Sequence, residues 1–434
     1  MKEQTIIQPR ILKGFRDSLP STQIPKEAIV TTLQHHFSSY GFVPIDTPAL
    51  EYMEILLGKG GGETDKQIFH FTDNGGREVA LRFDLTVPFA RYLALHEHEL
   101  ALPFKRYHID KVWRGENPQK GRYREFTQCD FDIVGVDNAE SDYEILSLMA
   151  SSFETIGVTH ARFHVAHRGM FNDLLVKNDV AELSVEILRL VDKLRKIGKE
   201  ETKNQLKSLV GNDEVVEAII SYITKEDENE AFITTLDRLT ALLGEESEHT
   251  KRMRTIYTYL ESEGIEKHFI FDPSITRGLD YYTGIVYETF LEGNEGIGSV
   301  CSGGRYNNLA SLYTKTELPG VGSSIGLDRL LAALEGEYQT GAADVLILNT
   351  DIRRYPEAIR VAKALRESNI RVAITLEPKK LPAQYKWAEA NAIRTAIILD
   401  QEEDGLFTIR DLSTRTNTIS SIADAVALLK KEIP

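Results

Sequence analysis

At 434 residues, 42% hydrophobic and 27% charged, the chain is longer than a typical single domain and has ordinary globular composition, so two or three packed units are expected. Two distant cysteines, Cys129 and Cys301, exclude a disulfide scaffold and a cysteine-based zinc site and fit a reducing cytoplasm. The net charge of −15 rules out a uniformly basic nucleic-acid-binding surface, no apolar run approaches the roughly 20 residues that span a bilayer, and residues 1–10 carry no secretory signal core.

Along the chain, Ile29, Val30, Leu33 and Phe37 recur at helical spacing over residues 24–40, and Gly41 reads as the cap that ends the helix. Residues 42–45 are extended, and Pro48 breaks any helix. Residues 67–83 alternate as strands do around an Asn74-Gly75 turn, and 85–95 return to helical spacing. Two further strand patterns, 106–114 and 124–134, flank a polar loop with Pro118 and Gly121 and predict an antiparallel hairpin with a long tip. This stretch also concentrates positive charge: seven lysines and arginines between Lys105 and Arg124 stand against Asp110 and Glu116. A basic surface therefore fits an acidic protein. Residues 142–156 form an amphipathic helix.

Residues 176–265 are poor in proline and glycine, rich in Glu, Lys and Leu, and periodic near 3.6, which predicts a helical insertion. Thirteen basic and nineteen acidic residues make it net negative. Strand patterns return at 285–290, 298–302 and 320–326, followed by a helix over 327–334. Residues 336–341 read as a linker. Beyond it, strand-like runs at 345–348, 372–376 and 395–399 alternate with helical runs at 356–367 and 384–392, so a small α/β domain with a mostly parallel sheet is predicted. Its fourteen basic and thirteen acidic residues nearly cancel. The adjacent histidines His35-His36 and the pair His96 and His98 lie on helical stretches without nearby carboxylates, and read as packed or solvated side chains rather than metal ligands.

The hairpin carries the most chemistry. Arg114 and Glu116 share one face of its first strand, and Arg122, Arg124, Phe126 and Gln128 share one face of its second. Guanidinium groups fork onto phosphate oxygens and an aromatic ring stacks on a base, so the set suits a nucleotide. A solvated charged hairpin accounts for the same residues. Gly326-Leu327-Asp328-Arg329 opens a helix after a glycine-rich strand, where small residues admit a ligand to the backbone. Arg277-Gly278-Leu279-Asp280-Tyr281-Tyr282 sets two tyrosines at a strand start, which serve either packing or, through a hydroxyl, an imidazole nitrogen.

Taken together these segments resemble class II aminoacyl-tRNA synthetases, and within them the histidyl-tRNA synthetases. The Arg-x-Glu, loop, Arg-x-x-x-Phe-x-x-x-Asp hairpin is similar to motif 2. Gly326 to Arg329 resembles motif 3, with Asp328 where glutamate is commoner. Pro48 stands where motif 1 places the proline of the dimer interface. Leu81-Arg82-Phe83-Asp84-Leu85-Thr86, the Arg277 to Tyr282 stretch, Ser302-Gly303-Gly304-Arg305-Tyr306 and Lys13-Gly14-Phe15-Arg16-Asp17 point to the histidine enzymes, with Asn307 where an acidic residue is usual.

The resemblance implies an α+β catalytic domain over 1–335, built on an antiparallel sheet and interrupted by the helical insertion at 176–265. It also implies an anticodon-binding α/β domain over 342–434. The implied reaction activates L-histidine with ATP, accompanied by Mg²⁺, and transfers the histidyl group to tRNA(His). Arg114 and Arg277 are the implied catalytic residues; Arg114, Glu116, Arg122, Phe126 and Arg329 are the implied ATP site. Asp84, Thr86 and Gln128 are expected near the α-ammonium of histidine, Asp132 and Tyr282 at its imidazole, and Tyr281 and Tyr306 along the wall, with Arg114 and Arg277 at the carboxylate. A cytoplasmic homodimer without membrane, DNA or protein-ligated metal is expected. The competing family members are the synthetase-like regulatory subunit of ATP phosphoribosyltransferase, a silent synthetase-like module, and another class II synthetase. Residues 342–434 and the three arginines at 114, 277 and 329 disfavour the first, the absence of a kinase segment the second, and the Arg277 to Tyr282 stretch the third.

Overall fold

A computed structural model describes residues 7–58, 67–225, 230–275, 282–334, 341–401, 403 and 405–432. The chain forms two compact units, Met1–Arg16 with Ile29–Ala333, and Asp17–Ala28 with Leu334–Pro434. Of the expected linker only Gly341 falls among the described residues.

Helix Pro20–Ser39, which enters the first unit at Ile29, leads through Gly41 (φ +80°) into strand β1 (Val43–Pro44). Strands β2 (Leu50–Tyr52), β3 (His70–Thr72) and β4 (Glu78–Leu81) make a small sheet. The β3–β4 turn closes at Asp73, whose carboxylate accepts the Gly75 and Arg77 N–H groups, as an Asx turn does. Then follow β5 (Phe104–Trp113), β6 (Glu125–Val134), β7 (Ala161–His167), β8 (Phe269–Phe271), β9 (Ile285–Leu291), β10 (Cys301–Tyr306) and β11 (Gly320–Gly326).

Eight of these strands join in the order β1-β5-β6-β11-β10-β9-β7-β8. The six central strands pair antiparallel, but β1 runs parallel to β5 and β8 parallel to β7. The sheet is therefore mixed, not antiparallel throughout. Both parallel edges follow from long connections, which alone bring a neighbouring strand back in the same direction. β1 reaches β5 by way of the small sheet, and β7 reaches β8 by way of residues 168–268.

That long connection is helical, as its periodicity predicts, and well capped. Asn212 accepts the Glu214 and Val215 N–H groups at the start of helix Asp213–Ile223, and Ser247 does the same for Thr250 in helix Glu248–Glu263. Leu236, Leu239, Met253, Ile256 and Leu260 are fully buried among these helices. Helix Ala139–Thr155 starts where Asn138 accepts the Ser141 N–H, and it buries Ile145, Leu148, Met149 and Phe153. Its Asp142 is fully buried between Arg252 of the helical segment and Arg305 of β10.

In the second unit, β12 (Val345–Leu348), β13 (Val372–Ile374), β14 (Thr395–Ile398), β15 (Leu406–Asp411) and β16 (Asn417–Ser421) order as β13-β12-β14-β15-β16. Only β13, β12 and β14 are parallel; β15 and β16 add antiparallel. The expected mostly parallel sheet is thus corrected to a mixed one. The loop between β15 and β16 is far too short for a crossover, so that pair is a hairpin. Alternate residues of β12 feed two cores: Val345 and Ile347 pack with Ala362, Leu365 and Phe407, while Leu346 and Leu348 pack with Ala388 and Ile393.

Candidate active site

Strand parity builds the site. On one face of β6 stand Gln128, Asp130 and Asp132, paired across β11 with Gly326, Ser324 and Gly322. In β10, Ser302, Gly304 and Tyr306 lie opposite Ser324, Gly322 and Gly320. The polar residues of β6 thus border a trough floored by glycine and serine. Glycine is required there: a Cβ on Gly322 would sit 1.9 Å from Asp132 Oδ1, and one on Gly304 would meet the Ile285 carbonyl at 2.7 Å and the Tyr282 ring at 3.0 Å.

At one end of the trough the Tyr306 hydroxyl donates to Asp132 Oδ1 at 2.5 Å. Arg106, fully buried and stacked 4.1 Å over the Phe89 ring, approaches Asp132 Oδ2 to 2.7 Å. That contact is an ion pair off the line of a hydrogen bond, so the Arg106 N–H groups and Asp132 Oδ2 find no hydrogen-bond partner among the described residues. Asp130 is buried and its Oδ1 likewise has none. Burial, reinforced by Asp132 and Asp84 and opposed by Arg106, pushes the Asp130 carboxyl up to about 7. The Tyr282 phenol is raised by burial and then by the charges of Asp132, Asp130 and Asp84, which places all four groups in one field. Arg168 holds the Tyr282 backbone by donating to its carbonyl at 2.7 Å. Asp84, one residue before the Leu85 N-cap of helix Thr86–His96, accepts the Val87 N–H of its first turn at 3.1 Å, and Thr86 opens that helix.

Gln128 joins this end to the next. Its Nε2 donates to Ser324 Oγ at 2.7 Å, and it lines a cleft with Arg114, Glu116, Arg122, Phe126 and Arg329. Arg114 donates from Nε to the Phe83 carbonyl at 2.9 Å, and its guanidinium lies 5.2 Å from the Phe126 ring centre. Glu116 pairs with Arg122 at 3.1 Å. Arg329 donates to the Ser299 carbonyl at 2.5 Å; burial and the nearby charges of Arg122 and Arg114 pull its pKa below the ordinary arginine value. Three guanidinium groups thus give the cleft an electropositive wall, as an anion site needs.

The structure therefore brings Asp84, Gln128, Asp132, Tyr282 and Tyr306 together, with Thr86 adjoining, and separately gathers Arg114, Glu116, Arg122, Phe126 and Arg329. Arg277 and Tyr281 lie outside the described residues. Arg124, expected beside Phe126, instead turns to the Glu116 and Lys13 carbonyls. Asp130, Arg106 and Ser324 were not foreseen as site residues. Asp130 had a signal, two residues from both Gln128 and Asp132 on the same strand face; Arg106 and Ser324 had none outside the register. One cluster of metal-capable side chains exists among the described residues: Asp46, His108 and Asp110. Arg82 already pairs with Asp110 at 2.5 Å, and burial with the charges of Arg106 and Arg82 lowers the His108 imidazole to about 3, a field hostile to a cation.

Residues 14–330 match the family model for Histidyl-tRNA synthetase, and residues 344–432 match that for an Anticodon binding domain. A histidine–tRNA ligase of Treponema denticola is 48% identical over 98% of both chains. One of Rhodopirellula baltica is 43% identical over 94% of this chain and 95% of its own. The crystal structure of histidyl-tRNA synthetase from Nostoc sp. PCC 7120 superimposes with a TM-score of 0.88 at 31% identity, covering 99% of this chain and all of the other.

Proposed function

The chain belongs to the histidyl-tRNA synthetase family and acts as a histidine–tRNA ligase with the class II fold, and from that premise we propose how its residues divide the work. The trough between Asp84, Asp132 and Tyr282 receives histidine, and the arginine-walled cleft receives ATP. Gln128, which borders both, marks where the two substrates meet. The observation that carries this reading is the Tyr306–Asp132–Arg106 group over a glycine floor, opening through Gln128 onto three convergent arginines.

The imidazole presents one N–H and one bare nitrogen, and a carboxylate with a phenol answers both. Asp132 accepts from the ring and Tyr282 donates to it, while Tyr306 keeps Asp132 aimed and Asp84 with Thr86 receives the α-ammonium. In the first step a carboxylate oxygen of histidine attacks the α-phosphorus, the P–O bond to pyrophosphate breaks, and histidyl-adenylate forms. No proton transfer is required of the protein; alignment and charge stabilisation carry the rate. Arg114 bridges the histidine carboxylate and α-phosphate, Arg122 and Arg329 hold the outer phosphates, Phe126 stacks on adenine and Glu116 orients the nucleotide. Arg277 is assigned to the charge that builds on the α-phosphate. Mg²⁺ would accompany ATP: Glu116 and Glu288, whose charges both act on Arg329, would offer it carboxylate oxygens, and it would neutralise phosphate charge.

The match of residues 344–432 to an anticodon-binding domain supports tRNA(His) recognition by a domain over 342–434, beyond a catalytic domain of 1–335 that contains the 176–265 insertion. The enzyme is a cytoplasmic homodimer joined through the Pro48 segment. Among the described residues no helix is long and apolar enough to cross a membrane. ATP–pyrophosphate exchange with each amino acid in turn tests the site: histidine alone should support it, and exchange with another amino acid at a comparable rate would overturn the pocket.

A further inference from the structure

The segment at residues 13–16 is distant in sequence from every element of the cleft, yet it is stitched to two of them. The Gly14 carbonyl accepts the Arg124 N–H at 2.8 Å, and Gly14 has φ +87° with no room for a Cβ, which would lie 2.7 Å from the Arg124 side chain. Phe15 sets its ring edge-on to Phe69 at 6.0 Å. Arg16 stacks its guanidinium 4.0 Å over Tyr123, a cleft-lining residue, and pairs through Nη2 with Asp328 Oδ1.

Asp328 is the hub. Only 4% exposed, it also accepts the Thr127 N–H at 2.6 Å through Oδ2. One carboxylate therefore ties together the 13–16 segment, strand β6 and helix Leu327–Ala333. The next residue in that helix is Arg329, and Thr127 sits in β6 between Phe126 and Gln128, both of which line the cleft. A charged donor that is itself fixed by stacking adds direction and strength to the hold on a buried carboxylate.

We infer that Arg16 is a positioning residue for ATP, acting through Asp328 to hold Arg329 and the Tyr123 side of the cleft in register. This rests on the reading of Arg329 as a phosphate-binding residue. Among the described residues Arg16 meets Asp328 and Tyr123 and no group assigned to histidine, so its effect falls on one substrate. The guanidinium both stacks and pairs, and lysine at this place keeps the charge but loses the planar stack.

The test uses the full-length enzyme and compares Arg16→Ala, Arg16→Lys, Arg329→Ala and the Arg16→Ala/Arg329→Ala double variant in ATP–pyrophosphate exchange, with thermal melts alongside. Arg16→Ala should raise KM for ATP by about 5- to 20-fold while KM for histidine stays within about twofold. Arg16→Lys should recover part of that loss. In the double variant the two effects should fall well short of multiplying, because both act on one guanidinium. Equal increases in both KM values, a lowered melting temperature with normal KM for ATP, or fully multiplicative effects would each overturn the inference while leaving Arg329 in the site. An unchanged KM for ATP in Arg329→Ala would remove the phosphate role and the inference together. Should Arg16→Ala not fold, Arg16→Lys decides alone: normal KM for ATP in a folded lysine variant refutes the dependence on stacking.

Discussion

Tyr306 and Asp132 are 174 residues apart in the chain and share a 2.5 Å hydrogen bond between buried side chains. The bond takes up Oδ1, so Oδ2, which lies 2.7 Å from Arg106 but accepts no hydrogen bond among the described residues, is the oxygen left to accept from a ligand. Tyr306→Phe keeps the ring in place and removes the donor. A buried carboxylate then loses a partner, which costs about 1–3 kcal/mol. The expected outcome is a KM for histidine raised about 10-fold with KM for ATP little changed, measured by pyrophosphate exchange. Equal damage to both substrates would remove Tyr306 from the histidine end.

Asp142 governs stability rather than chemistry. Its Oδ1 receives Arg305 Nε at 2.9 Å and its Oδ2 receives Arg252 Nε at 2.6 Å, so one fully buried carboxylate balances two arginines. Asp142→Ala leaves the buried Arg305 without its main counter-charge, although Asp137 stands 3.4 Å from it. Breaking such a pair costs about 3–5 kcal/mol. Urea unfolding should show a lowered midpoint with activity retained in the protein that remains folded.

Much of this was legible beforehand where a signal is local. The strands 345–348 and 320–326 read to the residue because an apolar run and a glycine-punctuated run each have defined ends. The β15–β16 hairpin carries no such signal: Leu406–Asp411 mixes polar and apolar residues on a covered strand, and no glycine marks its turn, where Arg415 takes φ +62° instead. Local patterns name a strand but not its neighbour, which is why the parallel and antiparallel pairings came out mixed. The same limit applies to the site. Motif residues identify Asp132 and Asp328, but the contacts that Tyr306 makes with the one and Arg16 with the other join segments far apart in the chain and emerge only from the fold.

A homodimer is expected in solution. In the single chain Val43, Leu50 and Tyr52 around the Pro48 segment are 46%, 40% and 48% exposed, an apolar strip that a two-fold partner would cover. Light scattering at micromolar concentration should give twice the chain mass, and Leu50→Asp should shift the equilibrium toward one chain. A single-chain mass for the unaltered protein would exclude the interface.

Arg277→Ala should be the most damaging single change to adenylate formation. Charge grows on the α-phosphate as the carboxylate attacks, and a fixed guanidinium in a dry site stabilises it with little reorganisation. The expected kcat falls by roughly 10²–10³ with a modest change in KM, and lysine restores only part, lacking the fork. Near-normal turnover with a lowered melting temperature would mark Arg277 as structural instead.

Asp130 supplies a pH dependence whose sign is fixed by its surroundings. Burial, with Asp132 and Asp84 adding to it, raises the carboxyl to about 7 in the folded chain, against about 3.9 in the unfolded one. Between those values the folded state binds the extra proton, so stability falls as pH rises from about 4 to about 7 and levels off above it. The full span corresponds to about 2–4 kcal/mol. Asp130→Asn removes the titration while keeping the shape. Its unfolding free energy should exceed that of the unaltered protein at pH 8 and approach it at pH 5, when both are followed by urea unfolding at each pH. Histidine should act in the opposite sense. A cationic ammonium or a ring N–H in the trough favours ionised Asp130, so saturating histidine should lower the carboxyl's pKa and flatten the stability profile of the unaltered protein. The variant, with no proton to lose, should show the same histidine-induced stabilisation at pH 6 and pH 8 once the ionisation of free histidine is allowed for. Parallel pH profiles for the two proteins, with and without histidine, would place Asp130 outside the ligand's field.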